Sequence, residues 1–186
     1  MDYADAKREI EDGDVLLVQG VGPFAWLTRL VQRLGGLNAY AKCTHVGVAW
    51  WMHGALWSIE MDGQHNVARR LSQHLLAGCK VQVCRPPVLR AELRGKFHQA
   101  TRMPINYGQA DLLWIGARLV LGVPERTEGN ADLVCSTFVP RWWTWAGWPR
   151  AEALALRPCP AELAKWLCEQ DLLKFELTPT VEGDTA

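Results

Sequence analysis

The stretch that decides the fold is THVGVAWWMHGALWSIEM, residues 44–61. Two segments rich in β-branched and aromatic residues, 44–51 and 55–61, flank a short connection whose glycine favours a chain reversal. The pattern predicts a β-hairpin. Because its strands run antiparallel, residues near His45 are expected to lie opposite residues near Glu60 or Met61.

The residues on either side of the hairpin predict further strands and two helical segments. Strands are expected over 15–18, around 65–67 and over 80–84, the last ending before Pro86 and Pro87, which lack backbone donors. Apolar residues recur at helical spacing over 23–34 and predict an amphipathic helix, and a helical turn is expected over 71–77. The first half of the chain is therefore mainly antiparallel sheet.

Beyond the two prolines the periodicity becomes helical. Helices are predicted over 88–102, 109–121, 132–146 and 160–168, and a last strand over 172–177. The sequence therefore predicts the α+β class, with an antiparallel β-sheet packed against helices. We expect one domain over residues 1–186, with frayed termini at 1–12 and 178–186.

Composition narrows the classes of partner. Lys plus Arg and Asp plus Glu both total 20, so the broad positive field of a general nucleic-acid binder is missing. The start lacks the basic and apolar regions of a signal peptide, and no apolar run is long enough to span a bilayer. The six cysteines are dispersed, which favours reduced thiols. We expect a cytoplasmic protein without a transmembrane segment.

Tryptophan is unusually frequent, with ten residues in the chain. Four of them crowd into one predicted helix and its end: Trp142, Trp143, Trp145 and Trp148. Such a cluster more often packs in a core than binds a ligand, although an apolar acyl or aromatic substrate is the alternative.

Cys135 is the candidate nucleophile. It lies in NADLVCSTFV, residues 130–139, where Asn130 or Asp132 can cap the start of a helix. Free backbone N–H groups and the helix dipole at such a start favour a thiolate over a thiol, and the same groups can hold an oxyanion. The alternative is an inert buried cysteine.

His45 is the candidate base for this thiol, because it begins an apolar strand where its ring can face a sheet edge or cleft. A hydrogen-bonded structural histidine is the alternative. The remaining histidines stand in a turn or in polar surroundings and are predicted to be surface residues: His53, His65, His74 and His98.

A histidine base also needs an acceptor that orients its ring. Glu60, on the paired strand of the hairpin, is placed to orient His45, and Asp62 faces the same side. The alternative for Glu60 is an exposed strand carboxylate. Neither the metal-ligand spacings nor the glycine-rich phosphate and dinucleotide loops occur, so we expect no metal and no cofactor.

Several short motifs occur together in a defined order: Gly13-Asp14-Val-Leu-Leu, Thr44-His45-Val-Gly-Val, Ile59-Glu60, Tyr107, Val134-Cys135-Ser136-Thr-Phe-Val and Arg157-Pro-Cys-Pro160. This order resembles that of the permuted NlpC/P60 proteins of the YiiX-like branch, which are related to lecithin:retinol acyltransferase-like enzymes. The resemblance implies a papain-like, circularly permuted fold. Thr137, where an acidic residue is frequent in that group, and the Trp-rich helix depart from the pattern.

By the same resemblance, Cys135 is the nucleophile, His45 the general base and acid, Glu60 the residue that orients His45, and Tyr107 a substrate-binding residue near the thiol. The expected function is a cysteine hydrolase that cleaves an amide or ester bond through an acyl-enzyme, acting on a peptide or cell-wall-type substrate. A lipid acyltransferase or acyl hydrolase, and a non-catalytic module that binds an acyl or peptide ligand, are the alternatives.

Overall fold

The computed structural model describes residues 3–63, 65–86, 91–96, 108–124, 134–147 and 157–179. Its central element is a six-stranded antiparallel sheet in the order β4-β3-β2-β1-β5-β6. The strands are β1 (Val15–Gln19), β2 (His45–Met52), β3 (Ala55–Met61), β4 (Asn66–Arg70), β5 (Lys80–Cys84) and β6 (Leu173–Leu177). The predicted α+β class is confirmed.

Helices cover both faces of this sheet. They are α1 (Tyr3–Ala6), α2 (Pro23–Leu34), α3 (Leu71–Leu76), α4 (the helical residues 91–96), α5 (Gln109–Leu121), α6 (Cys135–Trp145) and α7 (Pro160–Glu169). The predicted helix over 88–102 is described only where α4 lies. Within the described ranges, no helix combines the length and the apolar character needed to cross a bilayer.

The hairpin of β2 and β3 forms as predicted. His53 and Gly54 connect the strands with φ angles of 51° and 74°, both in the left-handed region that two-residue hairpin turns require. Gly47 then pairs with Glu60. Because residues two apart on a strand share a face, His45 and Glu60 are diagonal neighbours on one face of the sheet.

Alternate residues of the strands build two separate cores. On one face, apolar residues of β1, β2 and β3 pack against α6 and α7: Val15, Leu17, Val46, Val48, Ile59, Met61, Phe138, Trp142, Trp143, Leu163 and Leu167. On the other face, the intervening strand residues pack against α1 and α3: Ala6, Leu16, Val18, Ala49, Leu56, Leu71 and Leu75. By this alternation Glu60 belongs to the α3 face, whereas Cys135 at the start of α6 belongs to the opposite core.

The prediction that the Trp-rich cluster packs in the core is confirmed for two of its four members. Trp142 and Trp143 are completely buried. The Trp142 ring lies 5.5 Å from that of Trp50 and 5.9 Å from that of Phe138, centroid to centroid. Trp148 lies outside the described residues.

Helix α2 has its predicted bounds, but its apolar side does not face the core. Phe24 and Leu34 are 61% and 63% exposed, whereas Gln32 is buried. The cause is the Gln32 amide, which donates to the carbonyls of Ala41 and Cys43 at 3.1 and 2.9 Å and accepts from the Ala161 N–H at 2.9 Å. These bonds hold the polar side of α2 inward.

Replacing Trp142 with alanine should lower the free energy of unfolding by about 3–5 kcal/mol, because the change empties a fully buried space between the sheet and α6. The matched control is Trp26→Ala on α2, where the side chain is exposed and the expected change is under about 1 kcal/mol. Urea unfolding measures both. Equal losses in the two variants would contradict the packing of α6 described above.

Candidate active site

Cys135 is the first residue of α6. Val134 before it is extended, with φ −99° and ψ 167°, so the helix begins three residues later than the predicted Asp132. The Thr137 hydroxyl accepts from the Val134 N–H at 2.9 Å and donates to the Val134 carbonyl at 3.0 Å. At residue 137, where the group that the motifs resemble frequently has an acidic residue, the Thr137 hydroxyl therefore caps the first turn of α6 by bonding to Val134.

The start of α6 is also anchored from outside the helix. Ser136 is fully buried and donates to the Pro158 carbonyl at 2.6 Å, directly ahead of α7. On the other side of the cavity, Gln32 bonds to the chain that leads into β2 and to the first turn of α7. The segments that carry Cys135 and His45 are thus both held to α7 or to the residues directly ahead of it.

His45 is the first residue of β2 and lies at the edge of the core. Its Nε2 lies 3.1 Å from Glu60 Oε2. The Cys135 thiol lies beside the same ring, close enough to raise its pKa, and both side chains line one cavity. From the end of the strand the ring therefore contacts the carboxylate on the α3 face and the thiol that begins α6.

Glu60 is completely buried, and one of its oxygens carries most of its contacts. Oε2 accepts from Ser58 Oγ at 3.0 Å and lies 2.9 Å from His74 Nε2, besides its contact with His45. Arg69 Nε lies 3.4 Å from Oε1. Donors thus offset the burial of the carboxylate at Oε2, whereas at Oε1 the Arg69 ion pair does so without a hydrogen bond.

Gly47 makes room for this arrangement. A Cβ at that position would lie 2.1 Å from Ser58 Oγ and 3.5 Å from the Glu60 Cβ. Real Cβ atoms do not approach a hydroxyl so closely, so any side chain at residue 47 would displace the Ser58 donor. The missing side chain also clears the diagonal between His45 and Glu60.

The charges of the site stabilise one another. Burial opposes protonation of His45, but the Cys135 sulfur, through its charge and hydrogen bond, and the Glu60 carboxylate outweigh it and raise the pKa of the ring to about 10. Burial also disfavours the ionised Glu60, yet the hydrogen bonds from His45 and His74 and their positive charge hold the pKa of that carboxyl well below its ordinary range. The site therefore favours the imidazolium form of His45 next to an ionised Glu60.

The structure brings Cys135, His45 and Glu60 together, whereas Tyr107 lies outside the described residues. The prediction that His74 is a surface residue is wrong, because its side chain is buried against Glu60. A sequence signal existed: Leu71, His74 and Leu75 share one face of a helix by their i, i+3, i+4 spacing, and both leucines are buried. Arg69 and Ser58 were also missed.

A cavity of about 210 Å³ opens beside Cys135 and His45. Its walls come mainly from α2, α5 and the first turn of α6, and most of its lining is apolar: Phe24, Leu27, Val31, Leu112, Leu113, Ile115, Gly116, Leu119 and Val134. The few polar groups that line it include Thr28, Gln32, Thr44 and Ser136. Cys135 and His45 therefore border a largely apolar space, and none of the described residues form a cluster suited to hold a metal ion.

Replacing Glu60 with glutamine should change the pH dependence of stability. The depressed pKa of Glu60 stabilises the fold above its ordinary value of 4.5, a contribution lost as the pH falls below that value. The raised pKa of His45 stabilises the fold below 6.5, a contribution lost as the pH rises toward about 10. Both contributions are fully present between pH 4.5 and pH 6.5. In this range the free energy of unfolding, measured with urea, should differ most between Glu60→Gln and wild type, by about 2–3 kcal/mol.

Glu169→Gln is the matched control, since that carboxylate is exposed on α7. Its difference from wild type should stay small across the same pH range. A pH-independent loss in Glu60→Gln would contradict the electrostatic coupling of Glu60 with His45.

Comparison of the chain with protein-family models gave no match, and no curated protein sequence matches it. The resemblance to the permuted NlpC/P60 proteins thus stays a prediction carried by the residues of the motifs.

Proposed function

We propose that the protein is a cysteine-dependent hydrolase that cleaves an ester or amide bond through an acyl-enzyme on Cys135. The observation that carries the proposal is the placement of the His45 ring between two groups: the Cys135 thiol at the start of α6 and the buried Glu60 carboxylate, 3.1 Å from His45 Nε2. The antiparallel sheet, with the histidine on an early strand and the cysteine on a later helix, supports a papain-like, circularly permuted NlpC/P60-type fold.

Each group has a defined task in the reaction. The Cys135 thiolate attacks the carbonyl carbon and forms a C–S bond, and the carbonyl electrons move to oxygen. The N–H groups of Cys135 and Ser136 precede the first hydrogen bonds of α6 and are available to bind that oxyanion. The C–O or C–N bond then breaks as His45 gives its proton to the leaving group.

The second half reverses these proton transfers. His45 takes a proton from water or another acceptor, whose oxygen attacks the thioester, and the C–S bond breaks to release the thiolate. His45 Nε2 contacts the Glu60 carboxylate. The other ring nitrogen, Nδ1, is therefore the one that transfers protons in this scheme. Glu60 does not contact substrate in this scheme; it fixes the ring and stabilises the imidazolium.

The cavity favours a substrate with an apolar acyl group. Its lining is largely aliphatic, and its volume of about 210 Å³ is below that of sites that enclose a whole drug-sized ligand. An acyl chain next to the scissile carbonyl fits this space better than a charged cell-wall-type peptide. We therefore place an acyl ester or amide, as in a lipid acyl hydrolase or acyltransferase, ahead of the peptide substrate.

The first test is the reactivity of the thiols toward iodoacetamide near neutral pH. An imidazolium beside the sulfur stabilises its thiolate, so Cys135 should alkylate at least about tenfold faster than Cys168, although Cys168 is the more exposed of the two. Peptide mass mapping after timed quenching gives both rates in one sample.

His45→Ala should slow alkylation of Cys135 to the rate of the reference thiol and leave Cys168 unchanged. A Cys135 that reacts slowly in the wild-type protein, with no response to His45→Ala, would instead support the non-catalytic binding module.

The second test concerns the acyl chain. Gly116 lines the cavity, and a Cβ there would have only Val31 within 4 Å, at 3.9 Å, so a leucine at residue 116 extends into the open space. Gly116→Leu should lower kcat/KM for p-nitrophenyl octanoate at least about tenfold while leaving p-nitrophenyl acetate within about twofold. The initial rate of nitrophenolate release measures both.

Ala117→Leu, one residue along α5 and not part of the cavity lining, is the matched control and should leave the ratio of the two rates unchanged. Equal losses for the long and the short ester in Gly116→Leu would contradict acyl binding in this cavity. Cleavage of a cell-wall peptide in preference to both esters would favour the peptide substrate.

A further inference from the structure

Helix α2 buries its polar side and exposes its apolar side, the reverse of an ordinary surface helix. Its polar Gln32 is buried, while Leu27, Leu30 and Leu34, on the opposite side at helical spacing, are exposed. Trp26 and Phe24 are exposed as well, each at 61%. A helix on the surface of a protein in water normally has the reverse arrangement.

Helix α5 has the same inverted pattern. Its two charged residues point toward the protein in ion pairs: Asp111 Oδ1 lies 2.8 Å from Arg157 Nη1, and Arg118 pairs with Glu162. Leu113 and Leu121 face outward and are 77% and 74% exposed. Ion pairing on the inner side fixes this orientation, because turning α5 over would leave charges without their partners.

The two helices lie side by side, and Gly35 at the end of α2 sits close to Leu119 of α5, whose side chain a Cβ would approach to 2.9 Å. Of the eleven large apolar side chains that are exposed in the described part of the chain, eight lie on these helices, five on α2 and three on α5. We call this surface the α2–α5 face: Phe24, Trp26, Leu27, Leu30, Leu34, Leu113, Val120 and Leu121. Apolar clusters of this kind mark sites of association.

Among the described residues, the exposed charges on α2 and in the segment that follows it are positive. Helix α2 contains no acidic residue, and the only one on α5, Asp111, is buried in its ion pair. Arg33 on α2 and Lys42 in the segment that follows it are exposed cations. An exposed tryptophan among aliphatic residues, with arginine and lysine nearby, matches the composition of helices that lie in the interface of an anionic bilayer.

We infer that the α2–α5 face docks on the surface of a lipid bilayer that carries anionic headgroups. The same two helices form most of the wall of the cavity beside Cys135, so docking brings the cavity to the lipid. The attraction has two parts: burial of the exposed leucines and tryptophan among the acyl chains, and the pull of anionic headgroups on Arg33 and Lys42. Docking does not depend on the chemistry proposed for Cys135.

Flotation with vesicles tests the inference. Wild-type protein should float with phosphatidylcholine vesicles that contain roughly a quarter phosphatidylglycerol, and bind more weakly to pure phosphatidylcholine and at raised salt. The double variant Leu34→Asp and Leu121→Asp should lower the partition coefficient at least about tenfold. Neither residue lines the cavity or belongs to the catalytic groups.

Two exposed leucines on other elements supply the matched control. The double variant Leu76→Asp and Leu173→Asp, on α3 and β6, should float like the wild type. Cys135→Ala should also float like the wild type, which separates a failure of docking from a failure of the proposed hydrolase. Thermal unfolding of every variant verifies that each one is folded.

Absence of wild-type flotation on anionic vesicles would overturn the inference, as would flotation of the Leu34→Asp, Leu121→Asp variant equal to that of the wild type. Light scattering after size exclusion adds one more outcome. A wild-type dimer that the same double variant converts to monomers, together with no vesicle binding, would assign the α2–α5 face to a second copy of the chain and would overturn bilayer docking.

Discussion

The arrangement of the site depends on keeping the Glu60 carboxylate charged inside the protein. A buried charge is costly unless donors surround it, and here donors come from Ser58, His74 and His45, with Arg69 near the second oxygen. These donors come from four different elements, namely β2, β3, β4 and α3. The requirement to satisfy one carboxylate therefore fixes how α3 sits on β3 and how the His45 ring is oriented.

Much of this arrangement is local enough to be predicted from sequence. The hairpin turn at His53 and Gly54 sets the pairing of β2 with β3, and that pairing alone makes His45 and Glu60 diagonal neighbours. The bounds of α2 and α5 follow in the same way from apolar periodicity and from the prolines and glycines that punctuate it. The predicted place of Cys135 in or near the first turn of a helix follows in the same way from sequence, and Cys135 is the first residue of α6.

What sequence patterns missed depends on contacts between distant segments. The periodicity of α2 shows that its two sides differ, but only the bonds of Gln32 to Ala41, Cys43 and Ala161 decide that the polar side is inward. His74 was predicted to be a surface residue, and no role was predicted for Arg69, because polar neighbours in sequence give no sign of a buried carboxylate nearby. Helix α6 starts at Cys135 and not at the predicted Asp132, and the Thr137 side chain bonds to the extended Val134 at this start.

The two-residue hairpin turn also has a bearing on the order in which the site assembles. Glu60 meets His45 across adjacent strands and meets His74 only fourteen residues further on, so these contacts close short loops. Cys135 comes from much farther along the chain, on α6, which packs on β2 and β3. Because short loops close at lower entropic cost than long ones, the imidazole and its carboxylate come together first and the thiol last. A growing or partly folded chain thus carries the Cys135 thiol without the His45 ring beside it, and the two side chains meet only once α6 has packed on the hairpin.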